Sequence, residues 1–76
     1  MTLFSQDYGE ESFETYRTYL FGIAYRMLGS VMDAEDMVQE TFLRYQTARP
    51  QEIHSLKAYL TTILTRLCID QLSLAR

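Results

Sequence analysis

Apolar side chains recur along this chain at spacings of three and four, and the recurrence is broken at two places, Gly29 and Pro50. Between residue 11 and Leu28, the residues Phe13, Tyr16, Leu20, Ile23, Ala24 and Met27 fall on one stripe of a helix. Gly29 predicts the end of that helix, because a residue without a Cβ enters the left-handed conformation that closes a helix at little cost. Ser30 and Asp33 are both competent N-caps, and Asp33 is followed by Ala34, Glu35 and Asp36, which loads acid into a first turn where the helix dipole favours it. A second helix is therefore expected from about Ala34 to about Thr47. Its inward stripe is Ala34, Val38, Thr41, Phe42 and Tyr45, and Asp36, Gln39, Glu40, Leu43 and Arg44 are turned outward.

From Ala48 to His54 the pattern stops. Pro50 lacks a backbone donor and biases Arg49 away from helical geometry, so this is the one substantial loop. Ser55 is the next available N-cap, and the helix it opens carries Leu56, Leu60, Ile63, Leu64, Leu67 and Leu74 inward, with Gln71 in the same sector. Thr62, Thr65, Arg66, Ile69, Ser73 and Arg76 lie opposite. Three helices, short connections and no period-two signal predict an all-α fold, a compact three-helix bundle with room for a short extra helical turn at the N-terminus.

Length confines this to one small domain, in which folding hides roughly 60% of the surface of the unfolded chain. With 47% hydrophobic and 22% charged residues, three Gly and one Pro, the composition is that of a packed chain. The N-terminal residues are acidic where a signal peptide is basic, and there is no run of 18 apolar residues, so neither export nor a membrane is expected and the reading is cytoplasmic. Cys68 is the only cysteine, which excludes an internal disulfide and a Cys-x-x-Cys metal site.

Charge is unevenly distributed. Residues 1–40 hold Arg17 and Arg26 against eight acids, a balance of −6, whereas residues 41–76 hold five bases against Glu52 and Asp70, a balance of +3. The two halves should prefer partners of opposite sign, unless the asymmetry is an accident of a short chain. The acids Asp33, Glu35, Asp36 and Glu40 project outward without His partners, so they do not form a bundle metal site. They are either a solvated helix start or a docking surface. Leu43, turned outward among Gln39, Glu40 and Arg44, is what the centre of a small interface looks like, although a single exposed Leu is also ordinary.

No nucleophile, base and orienting group can be assembled from one His and one Cys, and no glycine-rich phosphate loop is present, so the expectation is a protein that is not an enzyme and needs no cofactor or metal. In the basic half, Arg49, Lys57, Arg66 and Arg76 suit phosphates, the outer hydroxyls of helix three suit polar contacts, and Tyr45, His54 and Tyr59 offer stacking surfaces unless the two tyrosines belong to the core.

Two runs, AYRMLGSVMDAEDMVQETFLR from Ala24 and LKAYLTTILTRLCIDQL from Leu56, resemble region 2 of extracytoplasmic-function (ECF) sigma factors of the sigma-70 family. The resemblance reaches from Phe13 to Arg76, and its TRLCID segment is similar to the sigma J-like subgroup, whose members carry an extra SnoaL-like C-terminal domain. It implies a transcription-initiation module that binds core RNA polymerase through the β′ clamp coiled coil and recognises and helps melt the promoter −10 element. On this likeness Asp36, Gln39 and Glu40 match clamp-contacting positions, to which outward geometry adds Leu43 and Arg44. The Thr47 to Ser55 loop and the helix after it correspond to the parts that hold the single-stranded −10 element and capture a flipped base, at a cost of a few kcal/mol in stacking. Arg49, Gln51, His54, Lys57, Tyr59, Thr62, Arg66 and Arg76 are the candidates for that contact.

The likeness also implies an anti-sigma factor or a fused C-terminal regulatory domain as a further partner, and region 4, the −35 reader, has no counterpart in these residues. Two departures stand out. Tyr59 occupies a position where relatives commonly have Trp, and Ser73 and Leu74 stand where they carry bases, so weak binding to DNA outside a holoenzyme is expected. The competing reading is a helical protein-interaction module, such as an adaptor, that never touches DNA.

Overall fold

In the computed structural model, which describes residues 13–48, 50 and 53–74, the chain forms three helices: α1 (Phe13–Leu28), α2 (Val31–Ala48) and α3 (Leu56–Leu74). Each packs against the other two, and no strand occurs among the described residues. The architecture is the all-α three-helix bundle that the periodicity predicts. The extra N-terminal turn falls on residues outside those described. No helix is long and apolar enough to cross a membrane among the described residues.

The α1–α2 joint is two residues long and fully accounted for by local chemistry. Gly29 sits at φ 70° and donates its N–H to the Tyr25 carbonyl at 2.8 Å, which satisfies an end carbonyl of α1. Ser30 follows at once as the N-cap of α2: its Oγ accepts from the Asp33 N–H at 3.2 Å and its carbonyl accepts from the Ala34 N–H at 2.9 Å. This corrects the expected start near Ala34, because of the two competent caps it is Ser30 that is used. Asp33 instead lies in the first turn, where its charge complements the dipole. Ser55 caps α3 in the same way, accepting from the Ala58 N–H at 3.2 Å.

Phe13 near the start of α1 meets Phe42 near the end of α2, with ring centroids 4.3 Å apart, so these helices run antiparallel. Tyr45 at the end of α2 meets Tyr59 at the start of α3, edge-on at 6.1 Å, which sends α3 back along α2. Phe13, Leu20, Ala24, Ala34, Val38, Leu60, Leu64 and Cys68 form the buried core. Each fully buried Leu or Phe here contributes roughly 1.5–3 kcal/mol. Thr41 is the buried polar residue, and its hydroxyl donates to the Met37 carbonyl at 2.8 Å, so no hydrogen bond is lost by its burial.

The inward stripe of α3 differs from the expected one at two positions. Cys68 takes the innermost place after Leu60 and Leu64, and Leu74 is 82% exposed. Leu60, Leu64 and Cys68 form an i, i+4, i+8 row, and Leu74, six residues beyond Cys68, lies about 120° around the helix from the thiol that ends the row.

Candidate functional site

The outer surface of α2 carries an acidic and amide face. Its pitch leaves Asp36, Gln39, Leu43 and Arg44 exposed and Glu40 half-buried, with Leu43 47% exposed among polar neighbours. Arg44 Nε donates to Glu40 Oε2 at 3.1 Å, an exposed i, i+4 pair of small energetic weight. That pairing engages the one base of the face and leaves Asp36 as its carboxylate without an ion-pair partner among the described residues, so the face presents a net negative charge.

The face is not made by α2 alone. Asp36, Met37, Glu40 and Arg44 form one wall of an open groove whose other wall is Leu67, Asp70 and Leu74 of α3. Around Leu43, a shallower depression is bounded by Glu40, Arg44 and Thr47. On the far side of Gln39 a third groove runs between α1 and α2, past Arg17, Phe21 and Glu35. Gln39 therefore stands on a ridge between two grooves. Periodicity could find the α2 residues, but the opposing Asp70 and Leu74 belong to another helix and emerge only from how α3 crosses α2.

The candidates for nucleic-acid contact do not share one face. Lys57, in the first turn of α3, leans toward α1 and sets its ammonium 4.5 Å from the centroid of the Tyr19 ring. Arg66 is nine residues on and lines a depression with Arg44, Ile63 and Asp70, on the α2 side. Tyr59 is half-buried against the core and Tyr45, whereas His54 and Thr62 are exposed. The Thr62 hydroxyl donates to the Ala58 carbonyl at 3.0 Å, so its proton is engaged within the helix and its lone pairs face outward. Arg49, Gln51 and Arg76 lie outside the described residues.

The remaining chemistry is quiet. Burial pushes the Cys68 thiol above its ordinary value, which keeps it neutral and inert. The Arg17 guanidinium, 2.9 Å from Glu14, holds that exposed carboxyl below the usual range. Among the described residues no three His, Cys, Asp or Glu side chains converge as a metal site.

Residues 12–76 match the family model described as Sigma-70 region 2. Over 60 residues the chain is 45% identical to the ECF RNA polymerase sigma factor SigJ of Mycobacterium tuberculosis (strain ATCC 25618 / H37Rv), a stretch covering 79% of this chain and 19% of that protein. The probable ECF RNA polymerase sigma factor SigI of the same strain is 38% identical over 64 residues, 84% of this chain and 22% of the relative. The ECF RNA polymerase sigma factor SigW of Bacillus subtilis (strain 168) is 35% identical over 69 residues, 88% and 37%. The chain thus spans about a fifth of the mycobacterial relatives and just over a third of the Bacillus one. No solved structure matches it significantly.

Proposed function

This chain belongs to the sigma-70 region 2 family, with ECF RNA polymerase sigma factors as its relatives, and from that membership we propose that it acts in transcription initiation. In this reading the outer face of α2 docks on the β′ clamp coiled coil of core RNA polymerase, and the start of α3 with the loop before it contacts the single-stranded −10 element. The single observation that carries the docking half is Leu43, exposed between Glu40 and Arg44 on a face that also exposes the Asp36 carboxylate. An apolar centre within an acidic and amide surround fits a basic coiled coil, and such charge matching steers encounter and fixes register.

Capture of purified core RNA polymerase by the immobilised chain tests this. Gln39→Lys, which introduces a positive charge, together with the charge reversal Glu40→Lys is expected to abolish capture, and undiminished capture by the double variant would sink the docking assignment. The adaptor reading draws on one observation, the separation of Lys57 and Arg66 to different sides of α3. Fluorescence anisotropy of single-stranded −10-like oligonucleotides on the assembled complex separates the two, since an adaptor would show no base preference.

A further inference from the structure

The outer stripe of α1 contains three features that the fold itself does not explain. Tyr19, Gly22 and Arg26 lie at i, i+3 and i+7, hence on one side of the helix. The Tyr19 ring is 43% exposed, and the Lys57 ammonium from α3 lies over one of its faces, 4.5 Å from the centroid, which orders the ring and sets a cation against it. Gly22 is in the interior of a helix, where glycine costs about 1 kcal/mol relative to alanine. A Cβ added there meets nothing within 4 Å, so no neighbour in the bundle requires its absence. The space that glycine opens belongs to the outside of the molecule.

The charge of this seam points to an anion. Arg26 and Lys57 are its bases, and the stripe continues one turn before Tyr19 with the exposed, uncharged Thr15. Glu14, the one acid among the described residues of α1, points to another side of the helix and is paired with Arg17. The groove between α2 and α3, by contrast, is bordered by Asp36, Glu40 and Asp70 with Arg44 paired to Glu40. An exposed aromatic ring, flanking cations and a backbone open to close approach are the parts of a platform for single-stranded nucleic acid, where bases stack and phosphates are neutralised.

We infer that the α1–α3 seam of Tyr19, Gly22, Arg26 and Lys57 binds the single strand, with a base stacked on the face of Tyr19 opposite Lys57, the strand lying over Gly22 and phosphates drawn to Lys57 and Arg26. This rests on the reading that the chain contacts the −10 strand. It moves part of that contact onto α1, a helix that contributes none of the residues assigned to DNA above.

The complex of this chain with core RNA polymerase is irradiated with a single-stranded oligonucleotide of about twelve 5-iodo-deoxyuridines, within the usual span of a single-strand site. Crosslinks are mapped by mass spectrometry, and affinity is read by anisotropy against core polymerase alone. The expected crosslink is at Tyr19. Tyr19→Ala and Gly22→Leu each weaken strand binding about tenfold, and Tyr19→Phe, which keeps the ring, does not. Unchanged helicity by circular dichroism shows that Gly22→Leu still folds. Crosslinks elsewhere on the chain with undiminished affinity of Tyr19→Ala and Gly22→Leu would overturn this inference and leave strand binding standing. Absence of any strand binding beyond that of core polymerase would overturn both. Loss of core polymerase capture by Gly22→Leu, with the strand affinity of the Tyr19→Ala complex undiminished, would overturn it in favour of a protein contact.

Discussion

Single side chains at the joints and in the core decide much of the stability of this domain. Ser30→Ala removes the acceptor for the Asp33 N–H and is expected to cost about 1 kcal/mol in urea denaturation, as is Ser55→Ala for α3. Gly29→Ala forces a Cβ into the left-handed region and should cost roughly 1–2 kcal/mol. Cys68 makes a pH-dependent contribution of definite sign. Its folded thiol titrates above the ordinary value, so the stability it adds is complete below about pH 8.5 and is lost as pH rises from there toward the folded value. Denaturation midpoints of the protein and of Cys68→Ala between about pH 7 and pH 10 should therefore converge with rising pH, and a constant gap would contradict the account. The depressed Glu14 carboxyl acts oppositely, favouring the fold at higher pH and ceasing to do so on acidification, weakly because it is fully exposed.

Among the elements, α2 presents the clearest division between structure and recognition. Leu43 is 47% exposed and is not one of the buried core residues, so Leu43→Ala should change stability by less than about 0.5 kcal/mol while weakening core polymerase binding severalfold, measured by denaturation and by titration with labelled core. The two effects would change together if Leu43 were a packing residue. The inward and outward faces of α2 were legible in the sequence because eighteen residues of helix repeat the same period, and Ala34, Val38 and Thr41 lie on the buried side as expected. The starting turn was less legible, since Ser30 and Asp33 are chemically equivalent caps and only the geometry of the Gly29 turn selects between them. In α3, Leu67 and Cys68 flank the row set by Leu60 and Leu64, about 100° apart, and side-chain size favours the leucine, yet the thiol is the one that is fully buried. Grooves were the least legible feature, because periodicity describes one helix at a time and Asp70 comes to line the same groove as Asp36 only across an interhelical crossing.

For the whole molecule, a small core makes every large contact matter. Leu64→Ala is expected to cost roughly 2–5 kcal/mol, a large part of what a domain of this size has, and thermal melting should show much of it unfolded near physiological temperature. Charge is divided between surfaces more than between halves of the chain, with the acids of α2 and Asp70 on one flank and Arg26 and Lys57 on another. Raising salt should accordingly weaken both proposed contacts, and each by its own slope in a titration from low to high ionic strength. The two-residue joint at Gly29 and Ser30 has a kinetic consequence as well. Closing α1 onto α2 brings together segments already adjacent along the chain, whereas α3 must return across seven intervening residues. The hairpin of α1 and α2 should thus be the part already formed at the rate-limiting step, so that Ser30→Ala slows refolding while Leu64→Ala chiefly hastens unfolding. Helix α3, with Lys57 at one end and Asp70 near the other, is then the last piece to arrive and the first to leave.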